Sequence, residues 1–319
     1  MVKVSLPAAS LSPVKMIFEV SILGSSSATP IYQRHPTAQV IKVHERIFLV
    51  DCGEGTLIQL NRFKIRFHKI NHIFISHLHG DHYLGLLGLI STMHLQGRTN
   101  ELHIYGQKEL KEIVEIQLTY SETVLRYPIH YHFLDADNDE LIYSDDDLEV
   151  HTISLKHRIP CTGFLFREKP RLRKLLKNML AEHNVPVAAY DRLKNGEDFL
   201  SESGELIPNS ELTTDPRLPR SYAFCSDTIY DERLVSVVKG VDLLYHEATF
   251  MNDKQARATE TFHSTAEEAG KIAAKAEVKR LIIGHFSARY KNLYPLLEEA
   301  RAIYPNVTLA LEGDRFMID

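Results

Sequence analysis

His77-Leu78-His79-Gly80-Asp81-His82 packs four candidate metal ligands into six residues, directly after the β-rich run 72–76. Alternate residues of an extended segment face the same way, so the imidazoles of His77 and His79 can bind one metal ion. Past Gly80 the chain turns, carrying Asp81 and His82 towards a second position. A chance pair of histidines means little. An H-x-H-x-D-H run behind an apolar strand is far more specific, because it groups ligand types at a strand end, where loops build sites.

One metal ion needs more than two ligands, and strand ends elsewhere supply them. His157 follows the strand read at 148–155, Asp227 the one at 222–225 and His285 the one at 281–284. Singly, each would pass as a surface or core residue. Jointly they give five histidines and two aspartates, enough for two zinc ions with a shared carboxylate and an open, water-filled position. Seventeen histidines is a high count, and histidine is the commonest metal-binding side chain. The three cysteines, Cys52, Cys161 and Cys225, are too few and scattered for a disulfide framework or a cysteine zinc site. They point to a reducing, cytoplasmic compartment.

Around these ligands the pattern reads as α/β. The first half is strand-rich, with a hairpin at 39–43 and 46–50, and helical spacing at 56–62, 84–95 and 107–120. From 222 onward strands and helices alternate, ending with a strand at 307–311. Residues 195–220 are polar and Pro-rich and read as a long irregular connection. Two sheets flanked by helices fit this order, as a single domain over 16–319 with one insertion. Residues 1–15 lack a basic segment followed by an apolar one; they read as a disordered extension and not as a signal peptide. No apolar run approaches the ~18 residues a membrane span needs.

The net charge of -5 conceals an asymmetry. Residues 135–149 hold eight acids and no Lys or Arg. Residues 167–196 hold eight bases, Arg167, Lys169, Arg171, Arg173, Lys174, Lys177, Arg192 and Lys194, against three acids. A basic stretch on an acidic protein is a candidate polyanion contact, although a solvated helix face explains it too.

Several segments carry a family resemblance. The H-x-H-x-D-H run is the signature of the metallo-β-lactamase fold, an αββα sandwich. Leu23-Gly24-Ser25-Ser26-Ser27-Ala28-Thr29-Pro30, Leu49-Val50-Asp51-Cys52-Gly53-Glu54-Gly55-Thr56, His246-Glu247-Ala248-Thr249-Phe250, His263-Ser264-Thr265 and Gly284-His285-Phe286-Ser287-Ala288-Arg289-Tyr290 resemble the narrower ribonuclease Z family of tRNA 3′-processing endonucleases. The resemblance implies His77, His79 and His157 on one zinc ion, Asp81, His82 and His285 on the other, and Asp227 bridging. It implies His263 as a catalytic histidine, with Glu247 a candidate to orient it. It also implies an inserted arm, here about 167–196, that grips the tRNA elbow, and a homodimer in which one arm serves the partner's site. The arm departs from the bacterial pattern: Val185-Pro186-Val187-Ala188-Ala189-Tyr190 stands where a P-P-G-P segment is common, while the basic ending Arg192-Leu193-Lys194-Asn195-Gly196 is kept.

The chemistry expected of that ligand set is hydrolysis. Zinc brings the pKa of bound water towards ~7, and a dinuclear pair stabilises charge during in-line attack on a phosphodiester. Asp81 is the candidate to accept the water proton, and His263 to protonate the leaving oxygen. The family implies a tRNA 3′-hydroxyl and a trailer 5′-phosphate as products. Two other readings stay open: a related dinuclear phosphodiesterase or arylsulfatase for small substrates, and a non-catalytic RNA-binding scaffold. The first leaves the basic insertion without a use, and the second is at odds with a complete ligand set.

Overall fold

A computed structural model describes residues 16–319; the reading of 1–15 lies outside the described residues. Two seven-stranded sheets stack face to face, each covered by helices on its outer side. The first runs in the order Arg315–Met317, Phe18–Gly24, Ala38–Val43, Arg46–Val50, Ile70–Phe74, Leu102–Gly106, Ile129–Phe133. The second runs Val307–Leu309, Leu281–Gly284, Leu243–Glu247, Ser221–Cys225, Cys161–Glu168, Leu148–Leu155, Leu141–Ser144. In each sheet four neighbouring strands are parallel and the rest antiparallel.

The period of two along each strand explains the layering. Phe48 and Val50 enter the core between the sheets, while Leu49 packs under the outer helices with Leu60, Leu89 and Ile90. Tyr222 and Phe224 likewise face inward, and Ala223 and Cys225 outward towards Ile272 and Leu296. Phe48, Phe74, Phe164 and Phe166 lock the inner layer, with centroids 5.3 to 6.1 Å apart. Burial on both faces is why these strands read as near-continuous apolar runs.

The parallel strands all end at one edge of the sandwich, where open α/β sheets place their sites. His77 follows Ile70–Phe74, Asp227 follows Ser221–Cys225, and His285 follows Leu281–Gly284. Not every histidine gathers there. His72, His103, His130 and His132 lie side by side on the first sheet, with ring centroids 4.9 to 5.3 Å apart, and belong to neither ligand cluster.

Between Glu168 and Arg220 the chain leaves the second sheet and folds as a small unit. Lys174–Leu175 pairs with Thr213–Thr214, and Phe199–Leu200 with Leu206–Ile207. Helices Lys177–Glu182, Tyr190–Lys194 and Asn209–Leu212 close over a core of Leu180, Val185, Leu193, Ile207 and Leu212. The Asn209 amide donates to the carbonyls of Leu193 and Glu197 and ties the two halves together.

The boundary at 196 and the irregular reading of 195–220 are therefore corrected. The unit extends to 219, and Arg167 belongs to the core strand Cys161–Glu168. Strands of two residues and helices of four show no periodicity to read. The charge picture changes with the boundary. Residues 169–194 carry seven bases and two acids, and residues 195–219 carry one base and six acids. The unit is electrically polarised and has no net charge. At its stem Lys169 pairs with Glu149 at 3.8 Å and Arg171 with Asp147 at 3.7 Å, which is where part of the acidic run 135–149 goes. Arg173 pairs with Asp215, Arg192 with Glu197 and Lys194 with Asp191, while Lys174 and Lys177 have no carboxylate partner among the described residues.

A buried ion pair anchors this unit. The Arg220 guanidinium donates to both carboxylate oxygens of Glu168 at 2.9 and 2.7 Å and to the Ile318 carbonyl at 2.8 Å. Burial opposes ionisation of Glu168, but the Arg220 hydrogen bonds and charge outweigh it and hold the carboxyl below its usual range. Its stabilising contribution is complete above the unfolded carboxylate pKa and is lost as pH falls through the lowered folded value. Arg220→Ala strands a buried carboxylate and is expected to cost about 3–5 kcal/mol in urea unfolding at pH 7. A loss below about 1 kcal/mol would contradict this role for the pair.

Candidate metal centre

At the strand-end edge the structure brings the seven expected ligands together in two clusters. In the first, His77 Nε2 and His157 Nε2 lie 3.0 and 3.1 Å from His79 Nδ1. In the second, Asp81 Oδ2 lies 3.5 Å from His82 Nε2 and 3.4 Å from His285 Nε2. Asp227 stands between them. Its Oδ2 faces His77 at 3.6 Å and His157 at 3.8 Å, and its Oδ1 faces His82 at 3.4 Å and His285 at 3.2 Å.

Four of the five ligand imidazoles, those of His77, His82, His157 and His285, are aimed by what holds their other nitrogen, and apart from Glu247 this layer went unread in the sequence. Asp51 is wholly buried; it accepts from His82 Nδ1 at 2.7 Å and from Ser76 N and Oγ at 2.8 and 2.9 Å. Ser76 Oγ in turn lies 3.0 Å from His77 Nδ1. His157 Nδ1 donates to the Phe262 carbonyl at 2.9 Å. Thr249 Oγ1 accepts from His285 Nδ1 at 2.8 Å and donates to Glu247 Oε2 at 2.6 Å. Carboxylates behind ligand histidines are the usual device for fixing tautomer and ring orientation. The available signal was position: Asp51 sits at a strand end before the small-residue turn 52–55, as the ligands themselves do.

His263 sits beside both clusters, its ring 5.1 Å from that of His157 and 5.3 Å from that of His285. Its Nδ1 donates to Glu247 Oε1 at 2.8 Å, and Glu247 is fully buried. Burial works against charge on His263, but Glu247 overcomes it by attraction and hydrogen bond, and the imidazole is pushed up to about 9. His263 also comes within ligand distance of Asp227 and His285. A protonated ring held by Glu247 has no lone pair to give a metal ion.

The donor set fits cations. His82 Nε2 is buried without a hydrogen-bond partner although it faces two carboxylates. Burial opposes ionisation of Asp81, yet the His82 and His285 imidazoles hold it well below the usual carboxylate range. Three acids, Asp51, Asp81 and Asp227, surround one side of the site and ask for positive charge. Three imidazole nitrogens converge on the other side and present lone pairs to a common point; the outer nitrogens of His77 and His157 are engaged by Ser76 Oγ and the Phe262 carbonyl.

Stacked mixed sheets between helices, with H-x-H-x-D-H at a strand end and two clusters sharing a carboxylate, define a metallo-β-lactamase fold hydrolase. Comparisons with known proteins narrow the class. A family model described as anti-Pycsar protein Apyc1 matches residues 18–168. Ribonuclease Z of Bacteroides thetaiotaomicron is 50% identical over 93% of this chain and 94% of its own, and that of Bacteroides fragilis is 48% identical over 93% and 97%. The crystal structure of the human tRNase Z short form is 28% identical and superposes with a TM-score of 0.68 over 94% of this chain and 99% of its own. The metallo-β-lactamase fold protein YhfI from Bacillus subtilis, at 17% identity and TM-score 0.68 over 95% and 100%, shares the fold. This chain belongs to the ribonuclease Z family. It is an endoribonuclease that hydrolyses phosphodiester bonds.

Proposed function

We propose that the chain removes the 3′ trailer from precursor tRNA with the help of two zinc ions, leaving a tRNA 3′-hydroxyl and a trailer 5′-phosphate. The observation that carries the reading is the Asp227 carboxylate, whose two oxygens face separate ligand clusters at 3.2 to 3.8 Å. His77, His79 and His157 would hold one ion, Asp81, His82 and His285 the other, with Asp227 common to both. When bound, such ions bring the pKa of water towards about 7 and stabilise charge on a phosphoryl group.

The chain's own residues supply positioning and proton transfer. Asp81 is kept ionised, and its Oδ2 already accepts from Ala28 N–H at 2.7 Å. It accepts a hydrogen bond from the attacking water and takes up its proton as the new P–O bond forms. His263, charged by Glu247, gives its proton to the 3′-oxygen of the tRNA as the old P–O bond breaks. Asp51 and Glu247 brace the two sides of the cluster, so little reorganisation is needed during attack.

The acid role fixes the sign of a pH effect. Glu247 holds His263 charged to a higher pH than an ordinary imidazole, so activity falls as pH rises through the raised value. Glu247→Gln should move this alkaline limb towards the ordinary histidine value of about 6.5 and lower kcat at pH 8 by about tenfold or more. An alkaline limb unchanged in the variant would remove Glu247 from this role.

The inserted unit is read as the tRNA-gripping arm of the single domain 16–319, in the cytoplasm. The strand that leads to it, Cys161–Glu168, starts beside His77 and ends seven residue steps away, roughly 23 Å at ~3.3 Å per residue. That distance from its own centre supports a homodimer in which the arm serves a substrate on the partner's site. The test is incubation of a precursor tRNA with the purified protein and mapping of both new ends. Cleavage behind the discriminator base with the stated termini is expected; an intact precursor beside rapid hydrolysis of bis-p-nitrophenyl phosphate would favour a small-substrate enzyme.

A further inference from the structure

A cleft of about 940 Å³ opens from the metal centre at His157 and runs between the loops after Leu102–Gly106, Ile129–Phe133 and Leu148–Leu155. We propose that it binds the unpaired 3′ trailer of the RNA substrate, by stacking bases on Phe133 and Phe262 and by pairing phosphates with Lys108, Lys156, Arg158 and Arg233. The assignment rests on the endonuclease reading above and adds to it a subsite for the departing strand.

Three features converge. Phe133 and Phe262 are 57% and 39% exposed, whereas ten of the other twelve phenylalanines are buried. Phe262 caps the helix Gln255–Thr261 with a φ of 58°, a left-handed position where glycine is the usual choice. A bulky residue there carries strain of order 1 kcal/mol. Its carbonyl needs no side chain to hold His157, so the ring has a purpose of its own. Lys108, Lys156, Arg158 and Arg233 line the same cleft as these rings. Lys156 and Arg233 are steadied by the buried Asp231, at 3.3 and 2.7 Å, which fixes their position without burying their charge.

Aromatic faces and cations lining one cleft are the chemistry of single-strand binding, tolerant of sequence because every base has a π-face. The cleft, about 940 Å³, is of a size for a few unpaired nucleotides, whose bases are free to stack on side chains as those of a paired stem are not. Three acids also line it: Glu109, Asp135 and Asp137. Asp135 is turned into its own loop, accepting from Asp137 N and Asn138 Nδ2. The remaining carboxylates set a limit on charge, which is why stacking and not charge alone carries the affinity.

The test compares Phe133→Ala with the parent enzyme on precursor tRNAs whose trailers are one, two, four and eight nucleotides long. The ratio of KM values, variant over parent, should rise with trailer length, level off after about three nucleotides, and reach about fivefold to a hundredfold, the range for losing one base–aromatic stack. Arg158→Gln should follow the same length dependence and weaken the response to salt. A ratio that stays flat across trailer lengths overturns the cleft assignment while leaving the endonuclease reading intact. Failure of the parent itself to cut any of the precursors overturns the tRNA-trailer reading instead.

Discussion

Asp227→Ala should lower precursor cleavage by at least about 10²–10³-fold and remove bound metal in the same preparation. The reason is electrostatic. The carboxylate lies among four imidazoles, one oxygen towards His77 and His157 and the other towards His82 and His285. Burial opposes its ionisation, but those imidazoles, led by His285, hold it well below the usual carboxylate range. Two divalent ions brought close together repel strongly, and a shared carboxylate both spaces and neutralises them. Asp227→Asn keeps the shape and loses the charge, and should fail nearly as badly. Elemental analysis beside the cleavage rate decides the matter: either variant retaining two metals and near-parent turnover would show that Asp227 is not a bridge.

Excising the whole arm should separate substrate binding from chemistry. Arg167 and Ser221 are direct partners on neighbouring antiparallel strands, so Glu168 and Arg220 already stand opposite each other. Replacing residues 169–219 with a two-residue Asn-Gly turn therefore yields an ordinary β-hairpin and keeps the anchoring ion pair. Removing only 169–194 would instead strip Leu180 and Leu193 from the small core and expose Ile207 and Leu212. The hairpin variant should lose on the order of a hundredfold or more in kcat/KM on precursor tRNA, mostly through KM, because phosphate contacts dominate such binding. Hydrolysis of bis-p-nitrophenyl phosphate should change by less than about threefold. Reversing Lys174 and Lys177, the two arm cations without a carboxylate partner among the described residues, should give a smaller loss in the same direction. Equal losses on both substrates would remove the arm from RNA binding.

What was legible in the sequence follows from what each layer requires. Ligands at strand ends are visible because a strand buried on both faces is an apolar run, and a His or Asp that ends it stands out. The two-sheet architecture followed from the same runs. The residues behind the ligands were not visible. Asp51 reaches His82 and Ser76, and Thr249 reaches His285, through hydrogen bonds that form only once distant strands are side by side, and a strand-end position was the one local hint of such a role. The arm failed for another reason. Its basic first half is obvious as composition, but its second half is polar, acidic and built from elements too short for any period, so the shared core of Leu193 with Ile207 and Leu212 left no trace. The histidine count misled in part, since His72, His103, His130 and His132 pack together on the first sheet apart from the ligand clusters.

Activity should return as metal is restored. Protein stripped with a chelator should bind zinc and regain precursor cleavage in proportion, reaching full rate at two equivalents per chain, with trailer and tRNA ends as stated above. Full cleavage by protein that holds no metal, or a plateau of both binding and rate at one equivalent, would contradict a two-ion centre built on His77, His79, His157, Asp81, His82, His285 and Asp227.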